Sequence, residues 1–141
     1  MRGICDVHRA AIFAVNTEVD IAIIKAEGGT FPFIELLAEN ESIEIGEEID
    51  ILGYPFGSKL GDDVEDLQIS LTRGFVSSRQ KRNGKTVYYI DIAARAGNSG
   101  SPVTSRESGK VVGVLCGSIV NGREEINYMC PITYFWKELT D

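Results

Sequence analysis

Gly97-Asn98-Ser99-Gly100-Ser101-Pro102 is the stretch on which the reading of this 141-residue chain turns. Glycines on both sides of Ser99 leave the backbone around its hydroxyl exposed. Glycine also reaches the unusual dihedrals that aim successive N–H groups into one concavity. Such a concavity is what an oxyanion needs. On these six residues alone, a Gly/Ser loop joining two strands is the stronger reading.

Outward from the loop, turn signals and short apolar runs alternate. Residues 86–92 place Val87, Tyr89 and Asp91 on one face and Tyr88, Ile90 and Ile92 on the other, the period of a strand. Arg82-Asn83-Gly84-Lys85 before them carries the Asn-Gly hairpin signature. Residues 67–78 read as a strand with Gly74 at a bulge or tight bend. Residues 49–54 read as another, closed by Gly53-Tyr54-Pro55-Phe56-Gly57. Past the loop, Val103 leads to a turn at Ser108-Gly109, a strand over 110–120, a second hairpin signal at Asn121-Gly122 and a strand over 126–130. Pro131 can start a short helix with Ile132, Phe135, Trp136 and Leu139 on one face. Nearer the N-terminus, residues 5–15 and 19–26 are apolar and β-prone on either side of Asn16-Thr17-Glu18. Residues 33–39 have helical propensity, but Pro32 and irregular spacing leave them ambiguous between helix and coil. Strands at short regular spacing make the chain all-β.

Composition bounds the function. The length suits one domain, 1–141, with a proper core. An apolar fraction of 43% and a charged fraction of 25% are ordinary for a globular protein, and the 15 glycines suit many turns. A net charge of −7 with no basic run argues against a nucleic-acid surface. The acidic run Asp62 to Asp66 lacks the regular ligand spacing of a calcium loop and reads as a solvated loop. Cys5, Cys116 and Cys130 are too few for a disulfide framework, and Cys116 and Cys130 read as buried thiols. With His8 the three cysteines form a notional zinc set, but only Cys5 and His8 are close in sequence, so no metal is expected. No run is long and apolar enough to span a membrane, and the residues after Met1 do not form a signal peptide.

The order of these elements resembles the trypsin-like (chymotrypsin-fold) serine peptidases, most closely the bacterial Deg-type, high-temperature-requirement branch. The nucleophile motif of that branch, Gly-Asn-Ser-Gly-Gly-Pro, is similar to residues 97–102. Its aspartate motif is similar to Asp20-Ile21-Ala22-Ile23-Ile24-Lys25. Gly46-Glu47-Glu48 through Gly57, Thr72-Arg73-Gly74-Phe75-Val76-Ser77, Tyr89-Ile90-Asp91-Ile92-Ala93-Ala94 and Met129-Cys130-Pro131-Ile132 match further family segments in the same order. The resemblance implies a two-barrel fold. Residues 1–70 would be the remainder of an incomplete first barrel, 71–130 the second barrel, and 131–141 a terminal helix.

It also implies roles. Ser99 matches the nucleophile and Asp20 the acid that orients a catalytic imidazole. Gly97 and Ser99 match the oxyanion donors, with the Asn98 peptide between them. Cys116, Gly117 and Ser118 match the strand edge that pairs with substrate backbone. Ala93 falls at the base of the specificity pocket, where a small apolar residue favours small or medium apolar side chains at the cleaved bond. The substrate implied is a peptide or unfolded protein, with no cofactor.

Two departures accompany the match. Ser101 stands where the family has glycine, at a position close to neighbouring backbone. The lone histidine, His8, lies twelve residues before Asp20. On a strand rising about 3.3 Å per residue, that sets the two roughly 20–30 Å apart. The family's histidine motif and opening strands have no counterpart here, which implies a fragment, a misplaced start codon or a degenerate member. Two functions follow: a serine endopeptidase whose base lies outside this chain, or a peptidase-fold module that binds peptides without cleaving them.

Overall fold

Strand β5 (Lys85–Asp91) shows how the two faces of the fold are written in the sequence. Tyr88 and Ile90, with Ile92 just beyond the strand, point into one buried apolar cluster. Val87 and Tyr89 point into a second. The first cluster fills a barrel and the second lies on its outer surface. The computed structural model describes residues 7–54, 69–93 and 97–140. Cys5, the turn at Pro55-Phe56-Gly57, the acidic run Asp62 to Asp66, and Ala94 lie outside the described residues.

The barrel is closed and runs β3 (Glu48–Gly53), β4 (Ser70–Arg82), β5, β8 (Glu124–Pro131), β7 (Val111–Asn121) and β6 (Pro102–Ser105). Each neighbouring pair is antiparallel, and β3 returns to β6 through Ile49↔Ser105, Asp50↔Thr104 and Ile51↔Val103. Closure leaves few unpaired edges. Ile49, Ile51, Val76, Val103, Val112 and Met129 are wholly buried inside. The β4–β5 connection is the two-residue Asn83-Gly84, both with positive φ, as a type I′ hairpin turn demands.

This pairing moves the expected division of the chain. A first-barrel remainder ending at residue 70 would exclude β3 from the second barrel, yet β3 is hydrogen-bonded to both β4 and β6 and completes it. The remainder is smaller: a separate two-stranded sheet of β1 (Ala10–Asn16) and β2 (Ile21–Ala26). The architecture is therefore the all-β, chymotrypsin-like one expected, with one complete barrel, a partial first barrel and a short C-terminal helix. Both early strands start later than their apolar runs suggest, at 10 rather than 5 and at 21 rather than 19. Residues 17–20 form the turn, and Asp20 takes a φ of +56° to complete it.

The hairpin rests on the barrel through Val19 and Ile21, which pack with Val87 and Cys130. Glu18 and Lys85 form an ion pair at 2.7 Å, and Asn16 donates to Glu138 of α1 (Thr133–Thr140). Residues 33–39 are not helical. Glu35 carbonyl accepts from Val111 N–H and Leu37 N–H donates to Val111 carbonyl, at 2.8 and 2.9 Å, so this backbone extends alongside β7. Leu37 is buried in the barrel core, and its carbonyl accepts from the Trp136 indole at 2.8 Å. Pro131 ends β8 instead of starting the helix, because Gly113↔Pro131 pairing and an Ile132-to-Val112 hydrogen bond prolong the ladder. Ile132, Phe135 and Trp136 turn towards the barrel, and Leu139 is exposed.

Candidate active site

Ser99 occupies an exposed turn stitched to strand β7. Gly97 and Gly100 have φ of +96° and +88°, the left-handed region in which glycine is at ease. Gly100 N–H donates to Leu115 carbonyl at 2.7 Å, and Leu115 N–H donates to Ser101 carbonyl at 3.0 Å. Ser101 N–H closes the turn on Asn98 carbonyl at 2.9 Å. Asn98 is buried beneath the loop, and its Oδ1 has no hydrogen-bond partner among the described residues. Ser99 is thus held up by its neighbours and faces outward.

The strand that holds the loop also has an open side. One flank of β7 pairs with β8 along its length, from Gly113↔Pro131 to Asn121↔Glu124. Its other flank pairs with β6 over Val111 to Val114 and then with the Ser99 loop at Leu115. From Cys116 onward that second flank has no strand partner among the described residues. The register shifts between Leu115 and Gly117, so Cys116 forms a bulge where the open edge begins. Gly117 is half-buried and Ser118 exposed. An edge of this kind offers backbone donors and acceptors to an extended chain, directly beside Ser99.

Ser101 is buried, and the room for its side chain comes from Gly53. A Cβ placed on Gly53 would stand 2.3 Å from Ser101 Oγ and 2.9 Å from Asn98 Oδ1. The side chain that the resemblance marked as a departure is accommodated by the absent one on the neighbouring strand. On the outer side of the loop, Ile34, Leu52, Tyr54, Ile69 and Pro102 form an apolar cleft of about 400 Å³ that reaches Ser99. Neither Gly53 nor Leu115 was singled out from sequence as part of the site. The only signal for Gly53 was Ser101, a side chain that needs space.

Asp20 sits exposed in the hairpin turn. It lines a small cavity of about 170 Å³ with Arg82, Cys116, Tyr128 and Cys130, and Ser99 is not part of that cavity. Its charge does reach Cys116, where it opposes a thiolate. Asp20 and the Ser99 loop therefore approach β7 at successive residues, Cys116 and Leu115. Ala93 is exposed, next to residues outside the described set. His8 lies at the other end of the hairpin. The register runs from Asn16↔Ile21 at the turn to Ala10↔Ala26 at the open end, and Arg9 carbonyl accepts from Glu27 N–H beyond it. Eight residues separate His8 from Asn16, about 26 Å of strand. Its ring packs edge-on against Phe31 at 4.9 Å. It is remote from Cys116 and Cys130 as well, which gather at Val19 near the turn.

A closed six-stranded barrel with a Gly-x-Ser-Gly turn beside an open strand edge belongs to a known class. Residues 6–114 match the trypsin-like peptidase domain, and the chain belongs to that family. Within it, the relatives are of the Deg/high-temperature-requirement branch. A protein described as a probable periplasmic serine endoprotease, DegP-like, from Pseudomonas putida (strain GB-1) is 31% identical over 110 residues, covering 75% of this chain and 21% of that one. The human serine protease HTRA4 is 28% identical over 124 residues, covering 82% of this chain and 24% of its own length. The chain thus spans between a fifth and a quarter of these relatives. The fold matches that of Rv3671c from M. tuberculosis, solved as the inactive form of a serine-to-alanine mutant, with a TM-score of 0.70 at 19% identity. That match covers 94% of this chain and 64% of the other.

Proposed function

We propose that this domain binds peptide in extended form along the open flank of β7, with Ser99 placed as the nucleophile of a serine endopeptidase. The observation that carries this reading is the junction at Leu115: the Ser99 loop is hydrogen-bonded to β7 at the residue before its edge opens. A peptide pairing with Cys116, Gly117 and Ser118 presents its next carbonyl to Ser99 Oγ. Attack gives a tetrahedral oxyanion received by the N–H groups of Gly97 and Ser99, with the Asn98 peptide between them; its collapse breaks the C–N bond, the amine leaves with the serine proton, and an acyl-enzyme remains. Ala93 lies at the base of the pocket for the residue before the cleaved bond and admits small or medium apolar side chains. Asp20, close to the same edge, is the group to orient an imidazole.

The position of His8, at the far end of the hairpin against Phe31, supports a site with no imidazole of this chain between Asp20 and Ser99. Removing that base from a serine peptidase costs on the order of a million-fold in kcat. The chain by itself therefore binds peptides and cleaves them very slowly. Its second reading, a peptide-binding module without chemistry, is favoured by the same displacement of His8 and shares the same groove.

Hydrogen exchange with and without a saturating extended peptide, bearing alanine or valine where it faces Ser99, tests the groove. Slowed exchange at the amides of Cys116 to Ser118 supports it. Protection elsewhere, or preferred binding of peptides with lysine or arginine at that position, contradicts it.

A further inference from the structure

Two thiols meet on the outer face of the barrel, at the point where the hairpin carrying Asp20 touches the strand carrying the open edge. Cys116 lies on the β7 bulge and Cys130 on β8, and both are free. Val114, two residues before Cys116, pairs directly with Cys130, so the cysteines are diagonal neighbours across the β7–β8 ladder. Cys130 Sγ–H donates to Val19 carbonyl at 2.9 Å, and Cys116 Sγ lies 4.0 Å from the same oxygen. Both sulfurs therefore lie within 4.0 Å of one carbonyl oxygen.

We propose that Cys116 and Cys130 are a redox pair, oxidised by hydrogen peroxide to an intramolecular disulfide that loosens the hairpin turn holding Asp20. Their chemistry is divided. The neighbouring Cys130 thiol holds the Cys116 thiol below the usual thiol range, against the opposing effect of burial. The Cys116 thiol beside it and burial push Cys130 up, so it keeps its proton, which it donates to Val19 carbonyl. Cys116 is half-buried and lines the cavity shared with Asp20 and Arg82, which gives a small oxidant access.

The steps balance. Cys116 thiolate attacks one oxygen of the peroxide, the O–O bond breaks, and hydroxide leaves a sulfenic acid. Cys130 sulfur then attacks that sulfur, the S–O bond breaks, and the S–S bond forms. The two thiol protons end in two waters, and two electrons pass from sulfur to oxygen. Cys130 then has no proton to donate to Val19 carbonyl, and Val19 directly precedes Asp20. The bulge at Cys116 is the adjustable part of the ladder, where the backbone can close the thiols to disulfide distance. The consequence for peptide binding rests on the reading of β7 as the substrate edge; formation of the disulfide does not.

The test uses the full chain with Cys5→Ser, so that two thiols remain. It is treated with a few equivalents of hydrogen peroxide, mapped by mass spectrometry without reductant, and compared by hydrogen exchange before and after. The expected result is a monomeric product 2 mass units lighter. It carries a 116–130 cross-link, reverses with dithiothreitol, and exchanges faster at residues 19–21. Cys116→Ser and Cys130→Ser should each lose the cross-link and keep the exchange of the reduced protein. Stepwise oxidation to sulfinic acid, an intermolecular disulfide, or a cross-link that leaves exchange at residues 19–21 unchanged overturns the proposal. None of these readouts involves Ser99, so failure here is separate from failure of the peptidase reading.

Discussion

The barrel and the β1–β2 hairpin are both antiparallel sheet, yet they are supported in opposite ways. The barrel closes on itself, and Ile49 and Ile51 on β3 have no exposed surface. The hairpin has two strands, is docked through Val19 and Ile21, and leaves Ile12, Phe13, Val15 and Ile24 exposed. Two strands alone are marginal in water. The difference divides the proposed site: the Ser99 loop is built onto the closed barrel, and Asp20 hangs on the turn of the weakly supported part. The barrel side of the site is therefore prepared in advance, and the hairpin side depends on docking.

Core truncation should draw that contrast most sharply. Ile51→Ala removes a wholly buried side chain and should cost about 2–5 kcal/mol in chemical denaturation, with loss of the whole fold. Ile12→Ser, on a residue that is 71% exposed, should change stability by no more than about 0.5 kcal/mol. Equal effects would erase the distinction between the two regions.

A smaller effect is expected inside the site. Gly53→Ala places a methyl group against Ser101 Oγ and Asn98 and should cost about 1–3 kcal/mol through overpacking. Adding Ser101→Gly should recover much of the loss. A Gly53→Ala protein as stable as the parent would show that Ser101 is not held as described.

The smallest effect concerns pH. The hydrogen bond and charge of Lys85 hold the Glu18 carboxyl below the usual carboxylate range, and Glu18 in turn raises Lys85. A carboxyl lowered in the folded state stabilises above its ordinary range, and that contribution fades as pH falls through the lowered value. Protection factors in β2, corrected for intrinsic exchange, should therefore fall in acid before those in β3. Glu18→Gln should remove that dependence, and an unchanged profile in Glu18→Gln would assign the acid response to other groups.

Much of this was legible in the sequence for physical reasons. The Asn83-Gly84 turn declares itself because few residues tolerate two successive positive φ angles. The two faces of β5 follow from strict alternation, and residues 97–102 stand out because glycine surrounds a single hydroxyl. Other features depend on distant partners. Residues 33–39 favour helix locally, but their backbone is taken by Val111 and Leu37 by the core. The membership of β3 in the barrel depends on pairing with β6, some fifty residues away. The space left by Gly53 and the meeting of Cys116 with Cys130 are likewise products of register. No local pattern signals them.

We propose that the barrel presents Ser99 ready to be acylated and that the base that would activate it is absent from its side. Labelling by a fluorophosphonate probe, followed over time with increasing concentrations of free imidazole, tests this directly. Slow modification of Ser99 that accelerates with imidazole and is absent from Ser99→Ala is expected. Rapid modification of Ser99 without imidazole, or modification at another residue, would contradict it.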